Sequence, residues 1–262
     1  MIKDTKTLTI RNHVIFGLVM HRKNLAIKCL ERILGKTIRD IIYIEPEKTE
    51  EVSAEVHGVR LDVYCEDEEA VYNVDLQAYR RDNLPKRSRY YQDMMDMILL
   101  KKGESYNALK KNIVIFICTF DPFGNGEYIY TFENRCIQVK GLSLSDDTSK
   151  IFLNTKGEKG EISLPLKMFL EYIEKGEATD EFTRELDEAV AEVRSDDKWR
   201  EPIMTWEMLK EDIAYAAREE GRTEGVSQEK KETVRRMLQA GKNVDDICIA
   251  TGLTEKELHP LL

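Results

Sequence analysis

The sequence predicts a mixed α/β domain followed by a helical extension. Three observations carry that prediction. Short β-rich runs alternate with amphipathic stretches as far as about residue 176. One run, "NIVIFICTF", is apolar and β-branched throughout, as in a strand buried on both faces. Beyond Gly176 the strand signals almost stop and charge becomes dense, as in long solvated helices. The expected division is 1–176 for the α/β domain and 177–262 for the extension.

The elements follow in order. From Asn12 to Leu34, Phe16, Val19, Met20, Ile27, Leu30, Ile33 and Leu34 recur at helical spacing, and Gly35 is a natural stop. "IRDIIYIEP" is β-rich and ends at a proline, which predicts a strand over 38–44. "VRLDVYCE" and "AVYNVDLQAY" flank a short acidic turn and predict a hairpin. "RRDNLPKRS" reads as a basic loop, and "RYYQDMMDMILLKKG" as a helix whose core side carries Tyr90, Met94, Met97 and Ile98. After the apolar strand, "DPFGNGE" is a turn built on Pro122, Gly124 and Gly126, without the spaced acids of a calcium loop. "YIYTFENRCIQV" and "KIFLNTKG" predict further strands, and "ISLPLKMFLEYIEKG" a helix. The end, "GKNVDDICIATGLTEKELHPLL", predicts two short helices with Ile247, Ile249 and Leu253 around a glycine turn, a small helix-turn-helix-like unit. Its second helix is acidic, which favours packing over DNA contact.

Composition narrows the function. The chain has 262 residues, is 42% hydrophobic and 34% charged, and carries a net charge of −9. A surface that grips nucleic acid everywhere is excluded, whereas a local basic patch is not. The cysteines, Cys29, Cys65, Cys118, Cys136 and Cys248, form no CxxC pair and are odd in number, which favours a reducing cytoplasm. No apolar run is long enough to span a bilayer, so no membrane partner is expected. His13, His21, His57 and His259 form no metal-ligand pattern.

The informative stretch is "RLDVYCEDEEAVYNVDLQ", where two apolar runs carry one acid each, Asp62 and Asp75. Strand side chains alternate with period two, so Asp75 and Gln77 share a face, as do Arg60, Asp62 and Tyr64. If the hairpin pairs them suitably, Asp62, Asp75 and Gln77 converge. Two close carboxylates repel and resist burial unless a cation lies between them. A hard divalent ion such as Mg²⁺ removes both penalties, and the Leu76 carbonyl is placed to add an oxygen ligand. The same acids on a solvated sheet face would give the same alternation.

"GVRLDVYCEDEEAVYNVDLQAY", followed by "LPKRSRYYQDMMD" and "NIVIFICTFDPFGNGEYIYTFENRC", resembles the PD-(D/E)XK nuclease family transposases, relatives of the recombination-promoting nucleases (Rpn family). The resemblance runs from about Leu8 to about residue 200. It implies a restriction-endonuclease-like core, a mixed β-sheet flanked by helices, and a Mg²⁺-dependent DNA endonuclease, with Mn²⁺ or Ca²⁺ as other possible ions. It implies Asp62 and Asp75 as metal acids. The position of the superfamily's lysine is held by Gln77, which can orient water or phosphate but adds no positive charge. Glu31 is a candidate for the helical acid of such sites, or simply a solvated helix residue. The rival reading is a weakly active or inactive member that binds DNA or another protein.

From Tyr79 to Tyr91 five cations, Arg80, Arg81, Lys86, Arg87 and Arg89, face one acid, Asp82. Cations interleaved with tyrosines suit phosphate contacts and stacking on nucleotides. Tyr91 and Gln92 follow Arg87 by about one helical turn and join it as candidate DNA contacts. In the extension, Met208, Leu209, Ile213, Ala216 and Ala217 lie near one helical stripe, which predicts a homodimer through that segment.

Overall fold

The computed structural model describes residues 8–43, 63–199, 201, 203 and 232–251. The chain divides into two units, Met1–Ile203 and Met204–Leu262. The first contains a six-stranded mixed sheet in the order β1-β2-β3-β4-β6-β5. The strands are β1 (Ile42–Tyr43), β2 (Val63–Glu66), β3 (Ala70–Gln77), β4 (Lys111–Cys118), β5 (Ile129–Phe132) and β6 (Thr148–Asn154). Strands β3, β4 and β6 run parallel, and β1, β2 and β5 are antiparallel to their neighbours. A mixed α/β fold with a sheet flanked by helices is what the sequence predicts. Of the strand expected over 38–44, the described residues pair only at Ile42–Tyr43, and Ile38 and Ile41 are buried before the ladder begins at Ile42.

Period two divides β3 cleanly. Ala70, Tyr72, Val74 and Leu76 enter a largely aliphatic core. Its other walls are α1 (His13–Met20), α2 (Lys23–Leu34), α4 (Leu164–Lys175) and α5 (Glu181–Ser195). Local signals set these helices: Asn12 and Ser163 cap α1 and α4, and Gly35 and Gly176 end α2 and α4 at φ 65° and 77°. The boundary expected at 176 falls inside this unit. Helix α5 buries Phe182, Leu186, Ala189, Val190 and Val193 in the same core, and Arg32 on α2 pairs with its N-cap, Asp180, at 2.7 Å.

The other face of the sheet carries a smaller, aromatic core under α3 (Leu84–Leu99). The expected basic loop is in part the start of this helix: with Pro85 in its first turn, α3 begins at Leu84. Its buried side is Leu84, Ser88, Tyr91, Gln92 and Met95. Tyr90, Met97 and Ile98, expected in the core, are exposed. The reason is that two polar residues, Ser88 and Gln92, find partners inside. Gln92 donates to the carbonyls of Asn112 and Ser149 and accepts from the Lys150 ammonium, so it ties α3 to β4 and β6.

The "DPFGNGE" turn is the expected one. Asp121 accepts from the N–H groups of Phe123, Gly124 and Gly126 and from the Tyr130 hydroxyl. In the second unit, residues 232–239 and Val244–Thr251 are helical, and Val234 packs with Ile247. The remainder of the predicted helix-turn-helix, including Leu253, lies outside the described residues, as do Met208, Leu209, Ile213, Ala216 and Ala217. Among the described residues no helix is long and apolar enough to cross a membrane.

The β2–β3 turn is held by Asp67. Its carboxylate accepts from the N–H groups of Glu69 and Ala70 at 2.8 Å and from the Tyr72 hydroxyl at 2.7 Å. Burial alone would raise this carboxyl, but the Tyr72 hydroxyl, the two N–H groups and Lys36 outweigh it and hold it below the usual carboxylate range. Asp67→Ala is therefore expected to lose about 1–3 kcal/mol in a denaturant titration at neutral pH. A depressed folded value gives stability that is fully present above the unfolded value of about 4 and lost as pH falls through the folded one. The gap between parent and variant should accordingly close below pH 4.

Candidate active site at the carboxyl end of the parallel strands

On the face of β3 turned toward α3 stand Val71, Asn73, Asp75 and Gln77, all buried. A charged residue in the middle of such a strand needs partners, and each oxygen of Asp75 has one. The Gln77 amide Nε2 donates to Oδ1 at 2.6 Å, and Nη2 of Arg87 lies 3.1 Å from Oδ2. The Asp75 side chain is 5% exposed and that of Arg87 24%. Arg87 also donates from Nη1 to Gln77 Oε1 at 3.0 Å and from Nη2 to the Tyr91 hydroxyl. Asp75, Gln77, Arg87 and Tyr91 thus form one hydrogen-bonded group joining β3 to the first turns of α3.

The walls are aromatic. Phe116 is the β4 partner of Asp75, and the Arg87 guanidinium lies 5.3 Å from the Tyr91 ring centroid and 5.8 Å from that of Phe116. Tyr91, Phe116 and Phe152 continue as a row of rings with centroid spacings of 5.8 and 5.3 Å. Such surroundings favour a guanidinium, which stacks on rings and is weakly hydrated. Cys118, the partner of Gln77, is no nucleophile: burial first, and then the charges of Asp75 and Asp121, push its thiol up to about 12. The group lies at the carboxyl end of β3 and β4, where ligands bind in open sheets with parallel strands.

The other predicted residues divide. Arg80, Arg81, Lys86 and Arg89 are exposed near the end of β3 and the start of α3. Arg80 donates to the Asp121 carbonyl at 2.7 Å, which links the loop after β3 to the turn after β4. Tyr91 and Gln92 are buried and meet the protein. Asp62 lies outside the described residues. It immediately precedes Val63, whose ladder partner is Val74, the neighbour of Asp75. Glu31 is on α2, whose buried side packs in the aliphatic core, and it accepts the Ile38 N–H at 2.9 Å. A surface depression of about 430 Å³ beside it, lined by Lys28, Arg32, Ser163 and Phe182, has its cations already paired to Glu185 and Asp180.

A model of the PD-(D/E)XK nuclease family transposases matches residues 13–233. The chain belongs to this family. No curated protein and no solved structure matches it. PD-(D/E)XK nucleases act on DNA and typically use divalent metals, so the donor set must be tested against that chemistry. The described part fits. Asp75 offers hard carboxylate oxygens held almost wholly out of water, and a cation, Arg87, is already drawn to them. Among the described residues no three His, Cys, Asp or Glu side chains converge. In this PD-(D/E)XK chain the cation beside the acid comes from a helix rather than from position 77.

Sequence reasoning missed Asn73, although its spacing from Asp75 and Gln77 is the period-two signal that placed those two together. Asn73 is fully buried, and among the described residues neither its amide nitrogen nor its oxygen has a partner. An unsatisfied buried polar group costs about 1–3 kcal/mol. Asn73→Val is expected to raise the denaturation midpoint, equivalent to about 1 kcal/mol. A lower midpoint would show that the amide is bonded to water in solution.

Proposed function

We propose that this chain is a Mg²⁺-dependent DNA endonuclease that hydrolyses phosphodiester bonds with little sequence selectivity. The observation that carries the reading is a carboxylate on a central strand, buried beside a neutral amide and a guanidinium at the open end of the parallel strands. Asp62 and Asp75, with the Leu76 carbonyl, would hold the ion; Mn²⁺ or Ca²⁺ would occupy the same oxygen ligands. Bound there, Mg²⁺ supplies an activated water and neutralises charge developing at the phosphate.

The protein's own groups do the rest. Gln77 fixes one Asp75 oxygen and would orient water by hydrogen bonding. Arg80, Arg81, Lys86 and Arg89 would contact the DNA backbone, which positions a duplex without reading its bases. Tyr91 and Gln92 serve that surface from within by fixing Arg87 and the helix. The free, buried thiols of Cys29, Cys65 and Cys118 suit a reducing cytoplasm. Kinship with the recombination-promoting nucleases, and work in recombination, mobile-element movement or phage defence, belong to the same reading.

A second reading is a DNA-binding member with little catalytic power, and the neutral Gln77 is what favours it. A metal-titrated nicking assay on supercoiled plasmid separates the two. The parent is expected to nick, and Asp75→Asn, with its fold retained, to lose on the order of 100-fold or more. Equal activity in the two proteins would remove Asp75 from the chemistry. A parent that retains plasmid without nicking it supports the second reading.

The apolar stripe in the extension (177–262) is proposed to pair with its copy in a homodimer, bringing two sites to the two DNA strands. Sedimentation at micromolar concentration should give twice the chain mass of 30.5 kDa. A monomer under those conditions rejects the dimer.

A further inference from the structure

We propose that Arg87 is the charged partner that Gln77 does not supply, and that it exchanges ligands. It neutralises Asp75 until a divalent ion takes that carboxylate, and it then turns to the phosphate being cut. The inference rests on the nuclease reading.

Arg87 differs in kind from the other cations of its segment. Arg80, Arg81, Lys86 and Arg89 are exposed, whereas Arg87 points inward to Asp75, Gln77 and Tyr91. A guanidinium that served only to dock DNA would have no reason to leave water for this pocket. Its grip on Asp75 matters to a metal because both draw on one carboxylate. A divalent ion carries twice the charge at a smaller radius and wins the oxygen, and it then repels a guanidinium so close by. The released cation has a short way to go. Its side chain is 24% exposed and so reaches solvent, whereas that of Asp75 is 5% exposed. Its planar fork of donors matches a phosphate as well as it matches a carboxylate. Gln77 tolerates either state, since its amide bonds Asp75 from one end and Arg87 from the other.

The exchange predicts coupling. Metal on Asp75 frees Arg87 for phosphate, and phosphate that holds Arg87 frees Asp75 for metal, so each ligand should tighten the other by the same factor. A purely structural Arg87 gives no such coupling, and a docking arginine contributes equally with and without metal.

The test is calorimetric titration of the full chain with Mn²⁺, and measurement of DNA affinity with and without Ca²⁺. Arg87→Gln is expected to bind Mn²⁺ about tenfold more tightly than the parent, because its competitor is gone. It should also lose the gain in DNA affinity that Ca²⁺ gives the parent. Arg81→Gln, on an exposed position, should weaken DNA binding by the same factor with and without Ca²⁺. Arg87→Lys keeps the charge but not the fork and should fall between parent and Arg87→Gln, so it carries the test if the glutamine variant does not fold. Equal Mn²⁺ affinity in the parent and every folded Arg87 variant overturns the proposal, as does an unchanged Ca²⁺ effect on DNA. A parent that binds no Mn²⁺ overturns the nuclease reading itself, a distinguishable result.

Discussion

A carboxylate buried in the central strand is the constraint to which the rest of this molecule answers. Asp75 is kept from water by β4 on one side and α3 above, and Arg87 and Gln77 make the charge tolerable by meeting its two oxygens. Removing one member of a buried ion pair costs about 3–5 kcal/mol, several times an ordinary surface pair. The position of α3 is therefore chemical as well as hydrophobic. The helix must begin where it does for its fourth residue, Arg87, to reach β3. Pro85 in its first turn and the buried Leu84 set that start.

The two faces of the sheet divide the work. The aliphatic face, covered by four helices, holds most of the apolar burial and carries stability. The aromatic face is thinner, with one long helix over it, and accepts polar residues at Asn73, Asp75, Gln77, Ser88, Gln92 and Asn112. Most of these have partners, as close packing demands; Asn73 is the exception. A buried amide left unsatisfied next to the charged group is the pattern of a site that gives up some stability for function. The fully buried rings of Phe116 and Phe152 beside it keep the local dielectric low, so a charge brought to Asp75 acts more strongly than it would in water.

Much of this was legible in the residues. Alternation placed Asp75 and Gln77 on one face, unbroken apolarity marked β4 as doubly buried, and Gly35 and Gly176 marked two helix ends. What was not legible came from contacts between distant segments. "RRDNLPKRS" reads as a loop because its charges and proline dominate any local pattern, yet Leu84 and Ser88 have buried places waiting on the sheet. The same contacts rotated α3. Hydropathy assigns Tyr90, Met94, Met97 and Ile98 inward and Gln92 outward, but the carbonyls of Asn112 and Ser149 and the Lys150 ammonium compensate a glutamine, and the helix turns accordingly. Helix α5 is a further case. Dense charge on α5 suggested a separate extension, while its other side fits the groove of α1 and α2.

Moving the site's positive charge from a strand to a helix has a consequence for how DNA and chemistry are joined. A lysine two residues beyond the acid would ride on the same rigid strand and respond to little else. Arg87 rides on α3, and Lys86 and Arg89, one and two residues away, are exposed cations on the same turns. On the nuclease reading, a phosphate backbone that engages those exposed residues pulls on the element that also carries Arg87. Gln92 resists that pull by anchoring the helix to β4 and β6. The helix is thus fastened in its middle and charged at its start. In such an arrangement the backbone contacts and the group beside Asp75 share one support, so docking of the duplex bears directly on the charge balance at the buried acid.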